Sequence, residues 1–203
     1  MRVVGSIIAR LGSNRLAYKN LMPFEGKPHW GLGIEELREA KRVDEIVVST
    51  ECELIARVAL DFGAAARARP VELALDDVPS IPVLQHLVRH YPCDVHVNFN
   101  INFPLCDPAV IEQPVELAAL NGESLSRLDS AWAQTRACLE NYGDPVSISA
   151  HNHEFEDVRA GKTDIHALEN LLGTYRLKQS ERRAELLDWI HPKMAQGEHS
   201  ESR

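Results

Sequence analysis

The chain has 203 residues, 44% of them hydrophobic, a net charge of −8 and four cysteines. That length supports one sizeable core, and the acidic balance excludes a general binder of nucleic acid or of an anionic membrane, which needs a basic field. Cys52, Cys93, Cys106 and Cys138 form no CxxC pair, the opening MRVVGSIIARLG lacks a long apolar leader region, and no apolar run reaches a membrane span; the expectation is reduced thiols in a cytoplasmic protein.

Taken in order, Val3, Val4, Ile7 and Ile8 make a buried strand that breaks into a cationic loop holding Arg10, Gly12, Ser13, Arg15 and Lys19. A strand's carboxyl end is where α/β sheets place ligands. Pro28 to about Arg42 follows as a helix with Trp30, Ile34, Leu37 and Ala40 on one face, then a strand from Glu45 to Ser49. Thr50-Glu51-Cys52-Glu53 reads as a capping box, and the helix after it stops at Gly63. A third strand is expected over Ala64 to Arg69, a loop over Pro70 to Pro79, and a helix capped by Ser80. Asp94 to Phe99 is the next strand, and Asp107-Pro108 starts another helix. Strands alternating with helices of this length imply a mostly parallel sheet with right-handed crossovers.

The pattern weakens beyond Gly122. A helix is expected over about Ser126 to Glu140, strands over Pro145 to Ser149 and within Asp157 to Ile165, and a helix over Ala167 to Ile190. Residues 1–191 read as one domain and 192–203 as a polar, disordered tail.

Four blocks carry a family resemblance: IIARLGSNRLAYKNLMPFEGKP (7–28), EIVVSTECELIARVALDFGA (45–64), RPVELALDDVPSIPVLQHLV (69–88) and DVHVNFNINFPLCDPAVI (94–111). In this order they resemble the cytidylyltransferases that make CMP-activated acidic sugars, the acylneuraminate and 3-deoxy-manno-octulosonate enzymes. The resemblance implies a single-domain, Rossmann-like α/β fold of the nucleotide-diphospho-sugar transferase type, with helices on both faces of the sheet. It also implies a cytoplasmic nucleotidyltransferase that binds CTP, uses Mg2+ and transfers CMP to a small acidic acceptor, a keto-acid sugar or a phosphonate or phosphate, with release of pyrophosphate. A homodimer is the family's arrangement, its arm drawn from the middle of the chain. Ala9, Arg10, Leu11, Gly12, Ser13, Asn14, Arg15, Lys19 and Asn100 fall on the nucleotide-binding positions, with Arg10, Arg15 and Lys19 as the catalytic cations.

The chemistry of the first block agrees. A triphosphate carries about four negative charges; backbone N–H groups near Gly12 and Ser13 suit its oxygens, while Arg10, Arg15 and Lys19 neutralise charge and draw it from the α-phosphorus. Three positions depart from the family. Asn100 stands where relatives carry a glutamine that reads base or ribose, and it is equally readable as a residue that satisfies backbone at a strand end. Asn102 replaces a metal-binding aspartate of the octulosonate branch, one that the sialate branch lacks as well, and His166 replaces a second metal-binding aspartate near the family's C-terminus, leaving Asp164 as the carboxylate for Mg2+, an ion with little affinity for neutral imidazole. Those departures keep open a turnover-deficient nucleotide-binding protein, and Asn100 keeps open another nucleoside triphosphate. His151, His153 and Glu154 form an H-x-H-E string readable as a surface loop, a metal site or a contact for an acidic substrate.

Overall fold

A strand covered on both faces reads as a nearly unbroken apolar run, because alternate side chains enter opposite layers. The computed structural model describes residues 1–12, 18–24, 26–103, 109–126, 130–142 and 154–155. Its strands are β1 (Val3–Ile8), β2 (Pro23–Phe24), β3 (Lys27–Pro28), β4 (Glu45–Thr50), β5 (Ala65–Ala68), β6 (Val95–Phe99), β7 (Glu123–Ser126), β8 (Ala131–Thr135) and β9 (Glu154–Phe155). The helices are α1 (His29–Glu39), α2 (Glu53–Asp61), α3 (Ser80–His90), α4 (Ala109–Asn121) and α5 (Arg136–Glu140).

Seven strands form one sheet in the order β5-β4-β1-β6-β8-β7-β9, with β2 and β3 as a separate hairpin. Pairing is parallel from β5 to β6, β8 runs antiparallel to both β6 and β7, and β9 is parallel to β7. The expected mostly parallel α/β architecture is present. One apolar layer joins Val3, Ile7, Val48, Val97 and Phe99 to α1, α2 and α4, the other joins Val4 and Val47 to α3 and α5. Helices therefore cover both faces.

The period-based expectations hold from β1 to β6, and α2 ends as expected: Gly63 takes φ +74° and the Ala64 N–H reaches back to the Ala59 carbonyl. Four local readings are corrected. The expected helix over Ser126–Glu140 is two strands and a single short helix, because Ala131 and Ala133 enter one layer while Gln134 is buried on the other side, against β6. The Thr50–Glu53 capping box does not form: α2 begins at Glu53 itself with Cys52 at the cap position and no side-chain cap bond, and Thr50 Oγ1 accepts the Cys52 N–H. Ser80 is the first residue of α3, with Pro79 at the cap position and no side-chain cap bond. α1 ends at Glu39 rather than near Arg42. Asp107 and the elements expected within 145–149, 157–165 and 167–190, with the tail, lie outside the described residues.

Close approach fixes α1 on the sheet. A Cβ on Gly33 would sit 2.8 Å from Phe99 Cδ1 and 3.1 Å from Ile7 Cδ1. Gly33→Ala is expected to destabilise the protein by roughly 1–3 kcal/mol through overpacking, read as a lower urea midpoint with an unchanged slope.

Two histidines lie in these layers without charge. His96 is fully buried; its Nε2 meets Ser6 Oγ at 2.8 Å, and Ser6 Oγ meets Asn98 Oδ1 at 3.3 Å. Because that amide oxygen only accepts, Ser6 donates to it and receives the Nε2–H, which fixes the neutral tautomer. Burial pushes His96 down to about 4; burial and then the Lys19 charge push His29 down to about 3. The unfolded rings take up protons near pH 6.5, so stability is complete above that value and falls as the pH drops toward 4 for His96 and toward 3 for His29. The full loss is on the order of 3–5 kcal/mol per ring. Urea midpoints should fall steeply between pH 7 and pH 4.5; a flat profile would contradict the buried neutral pair.

Candidate active site

β1, β4, β5 and β6 all end on the same side of the sheet, and their last residues meet there. Ala9 continues the strand by one residue, its N–H donating to the Ser49 carbonyl at 3.1 Å, and it is fully buried. Leu11 donates its N–H to Glu51 Oε1 at 2.6 Å, and Glu51 Oε2 receives Arg69 Nη2 at 2.8 Å. One carboxylate after β4 thus holds the loop after β1 and the arginine after β5. The Arg69 side chain is 1% exposed and that of Glu51 16%. Burial alone would raise the Glu51 pKa; the bonds from Arg69 and Leu11 outweigh it and hold the carboxyl below its usual value.

Arg10 Nη1 donates to the Ala74 carbonyl at 3.2 Å and forms an ion pair with Asp76. Both partners belong to the segment between β5 and α3. That segment, Arg10 and Arg69 line a cavity of about 200 Å³ whose wall also includes Ile8, Asp76 and Ser80.

The second half of the site begins at Tyr18, whose φ of 53° lies in the left-handed region, unusual for an aromatic residue. It opens a 3-10 turn, Lys19–Leu21. Lys19 is buried, and its ammonium donates to Asn102 Oδ1. The Asn102 N–H donates to Asn100 Oδ1 at 3.1 Å, and the Asn100 N–H to the Ser130 carbonyl at 2.9 Å. Asn20 Nδ2 donates to the Arg10 carbonyl at 2.6 Å, and Trp30 Nε1 to the Asn20 carbonyl at 2.8 Å. His29 lies beneath this turn at 1% exposure, with neither ring nitrogen hydrogen-bonded.

Of the expected residues, Ala9, Arg10, Leu11, Lys19, Asn100 and Asn102 gather at the strand ends, and Gly12 is exposed beside them. Ser13, Asn14, Arg15, Asp164 and His166 lie outside the described residues, as do His151, His153 and the Glu154 side chain. The sequence reading missed Glu51, Arg69, Asp76 and Ser80. A signal existed for the first two: each is a charged residue directly after a strand, on the same edge as Arg10.

The fold is a mostly parallel α/β sheet whose polar residues collect at its carboxyl ends, the arrangement of nucleotide-handling proteins. The sequence model of the cytidylyltransferase family matches residues 4–170, and the chain belongs to that family. It is 33% identical over 111 residues to the 3-deoxy-manno-octulosonate cytidylyltransferase of Zea mays, a match covering 55% of this chain and 37% of the maize protein. The chain spans less than two thirds of the length of the curated relatives it matches. Among solved structures it resembles CMP:2-keto-3-deoxy-manno-octonic acid synthetase complexed with CTP, with a TM-score of 0.75, 16% identity, and coverage of 89% of this chain and 100% of that one. A Mycobacterium tuberculosis H37Rv protein solved with manganese has a TM-score of 0.60 at 16% identity, over 87% of this chain and 99% of that one. At these identities the two structures speak for the fold.

Glu51→Ala would leave the Arg69 guanidinium buried without its charge partner. It is expected to cost about 3–5 kcal/mol, with Glu51→Ala/Arg69→Met recovering much of the loss. A double-mutant cycle on urea midpoints measures the coupling.

Proposed function

We propose that the protein binds CTP across the carboxyl ends of β1 and β6 and transfers CMP to a small acidic acceptor, releasing pyrophosphate. The observation that carries this reading is that Arg10 and Arg69 line one cavity at the end of β1 while Lys19 is held at the end of β6 by Asn102, in a chain of the cytidylyltransferase family.

Triphosphate oxygens are received by the guanidinium N–H groups of Arg10 and by Lys19, with Arg15 and the backbone of residues 12–14 completing the grip. Arg10 is held through Nη1 by Ala74 and Asp76, which sets the plane of its fork before a ligand arrives. The acceptor oxygen attacks the α-phosphorus in line with the departing pyrophosphate. Positioning and charge neutralisation supply the acceleration, and no side chain forms a covalent bond to the nucleotide. Asn100, anchored by Ser130, presents its amide beside the nucleotide. An acidic acceptor, carrying its own carboxylate or phosphate, suits the same cationic surface.

Magnesium is the ion expected for such a reaction. The described residues do not fit it: Asn100 and Asn102 are neutral, Asn102 Oδ1 already accepts from the Lys19 ammonium, and no group of three or more His, Cys, Asp or Glu able to hold a metal occurs among the described residues. No step is therefore routed through a metal.

A second reading, nucleotide binding without turnover, is favoured by one observation. At position 102 a neutral amide, in place of the aspartate of the octulosonate branch, is committed to Lys19. Thermal shifts with CTP, UTP, GTP and ATP, with and without Mg2+, separate base selection from metal dependence. CTP is expected to give the largest shift, and Arg10→Ala and Lys19→Ala to weaken it at least tenfold. Pyrophosphate release across keto-acid sugars and phosphonates then divides the readings: release supports transfer, and CTP binding without release supports the second.

A further inference from the structure

The open edge of the sheet carries a second concentration of positive charge. β5 is the terminal strand, and Arg67 on it faces His90 of α3, Arg67 Nη2 lying 2.6 Å from His90 Nε2. A guanidinium only donates, so Nε2 accepts and the ring hydrogen sits on Nδ1, which donates to the His86 carbonyl at 2.8 Å. The rings of His86 and His90 are 4.8 Å apart, and exposed Arg89 adjoins them in the chain. Arg67 Nε and His86 Nδ1 are buried without a hydrogen-bond partner.

Counter-charge is missing where these cations gather. Arg2, Arg10, Arg42, Arg69 and Arg136 each hold a carboxylate. Among the described residues neither Arg67 nor Arg89 has one within ion-pair distance. Burial first, then the neighbouring His90 ring and the positive charges of Arg67, Arg89 and Arg69, hold the His86 pKa below its ordinary value. In a chain of net charge −8 there is acid to spare, yet none of it among the described residues pairs with Arg67 or Arg89. The two guanidinium charges repel unless an anion sits between them, and the neutral imidazoles offer no compensation.

We propose that Arg67, His86, Arg89 and His90 form a binding site for a small multivalent oxyanion of the phosphate class. Two arginines supply forked donors, and the imidazoles supply directional N–H groups once the anion replaces the Arg67–His90 bond. The site is separate from the nucleotide cavity, since Arg67 precedes Arg69 by two residues on the edge strand and only Arg69 lines that cavity. It does not depend on CTP being the nucleotide.

The test is a titration of the full chain at constant ionic strength with inorganic phosphate and, in a separate arm, with pyrophosphate, following histidine Cε1–H signals by NMR. Saturable shifts of His86 and His90, with His29 and His96 unmoved, support the site. Tighter binding of pyrophosphate would indicate a product of the proposed reaction, and tighter binding of phosphate a free anion. Arg67→Gln/Arg89→Gln should weaken binding at least tenfold while leaving the CTP thermal shift unchanged. Arg89→Gln alone, at an exposed position, gives the same direction should the double variant fold poorly. Shifts that match those from sodium chloride, or that survive both substitutions unaltered, overturn the proposal. Loss of CTP binding with intact phosphate shifts would count against the nucleotide reading alone.

Discussion

A single carboxylate, Glu51, receives the Leu11 N–H on one oxygen and the Arg69 guanidinium on the other, and so ties together the segments that leave β1, β4 and β5. The site depends on that junction. Without it the chain after Ala9 would have no anchor for its first turn, and a buried guanidinium would face the cavity without counter-charge. The carboxylate is poorly hydrated, so the bonds it makes are stronger than surface pairs and their loss correspondingly more costly. A structural ion pair and a cavity-lining cation are here the same group.

The same principle governs the second arginine. Arg10 would wander on the surface of an acidic protein if left to solvent, and Ala74 with Asp76 confine it. Both arginines are thus held before any anion arrives. Ordering them early moves an entropic cost from ligand binding to folding, which is how preorganised charge gains its effect.

The regular part of this architecture was readable because helix and strand periods alternate cleanly from Val3 to Phe99. The apolar stripe of α2 and its stop at Gly63 follow from residue type alone. The segment from Glu123 to Glu140 was not readable in the same way. Ala-Trp-Ala-Gln-Thr alternates only weakly and runs straight into a short helix, so its composition suits a helix; what makes it a strand is the exposed side of β6, a partner distant in the chain. In the site, Arg10, Lys19, Asn100 and Asn102 announced themselves as polar residues following strands. Glu51 did not, because Thr-Glu-Cys-Glu imitates a helix cap so well, and Arg69 was hidden by the proline after it. Local patterns report what a residue can do beside its neighbours, whereas Glu51 acts forty residues away.

Helix α1 has a mechanical role beyond filling a layer. Near its start, Trp30 holds the Asn20 carbonyl, one residue past Lys19; a turn further on, Gly33 rests against Phe99, one residue before Asn100. The lysine turn and the asparagines, which together make the second half of the site, therefore stand on one rigid beam. Its depth against the sheet acts as a ruler for the span between the lysine and the asparagines, and any sequence change that lifted or rotated the helix would alter that span without touching a residue of the site itself.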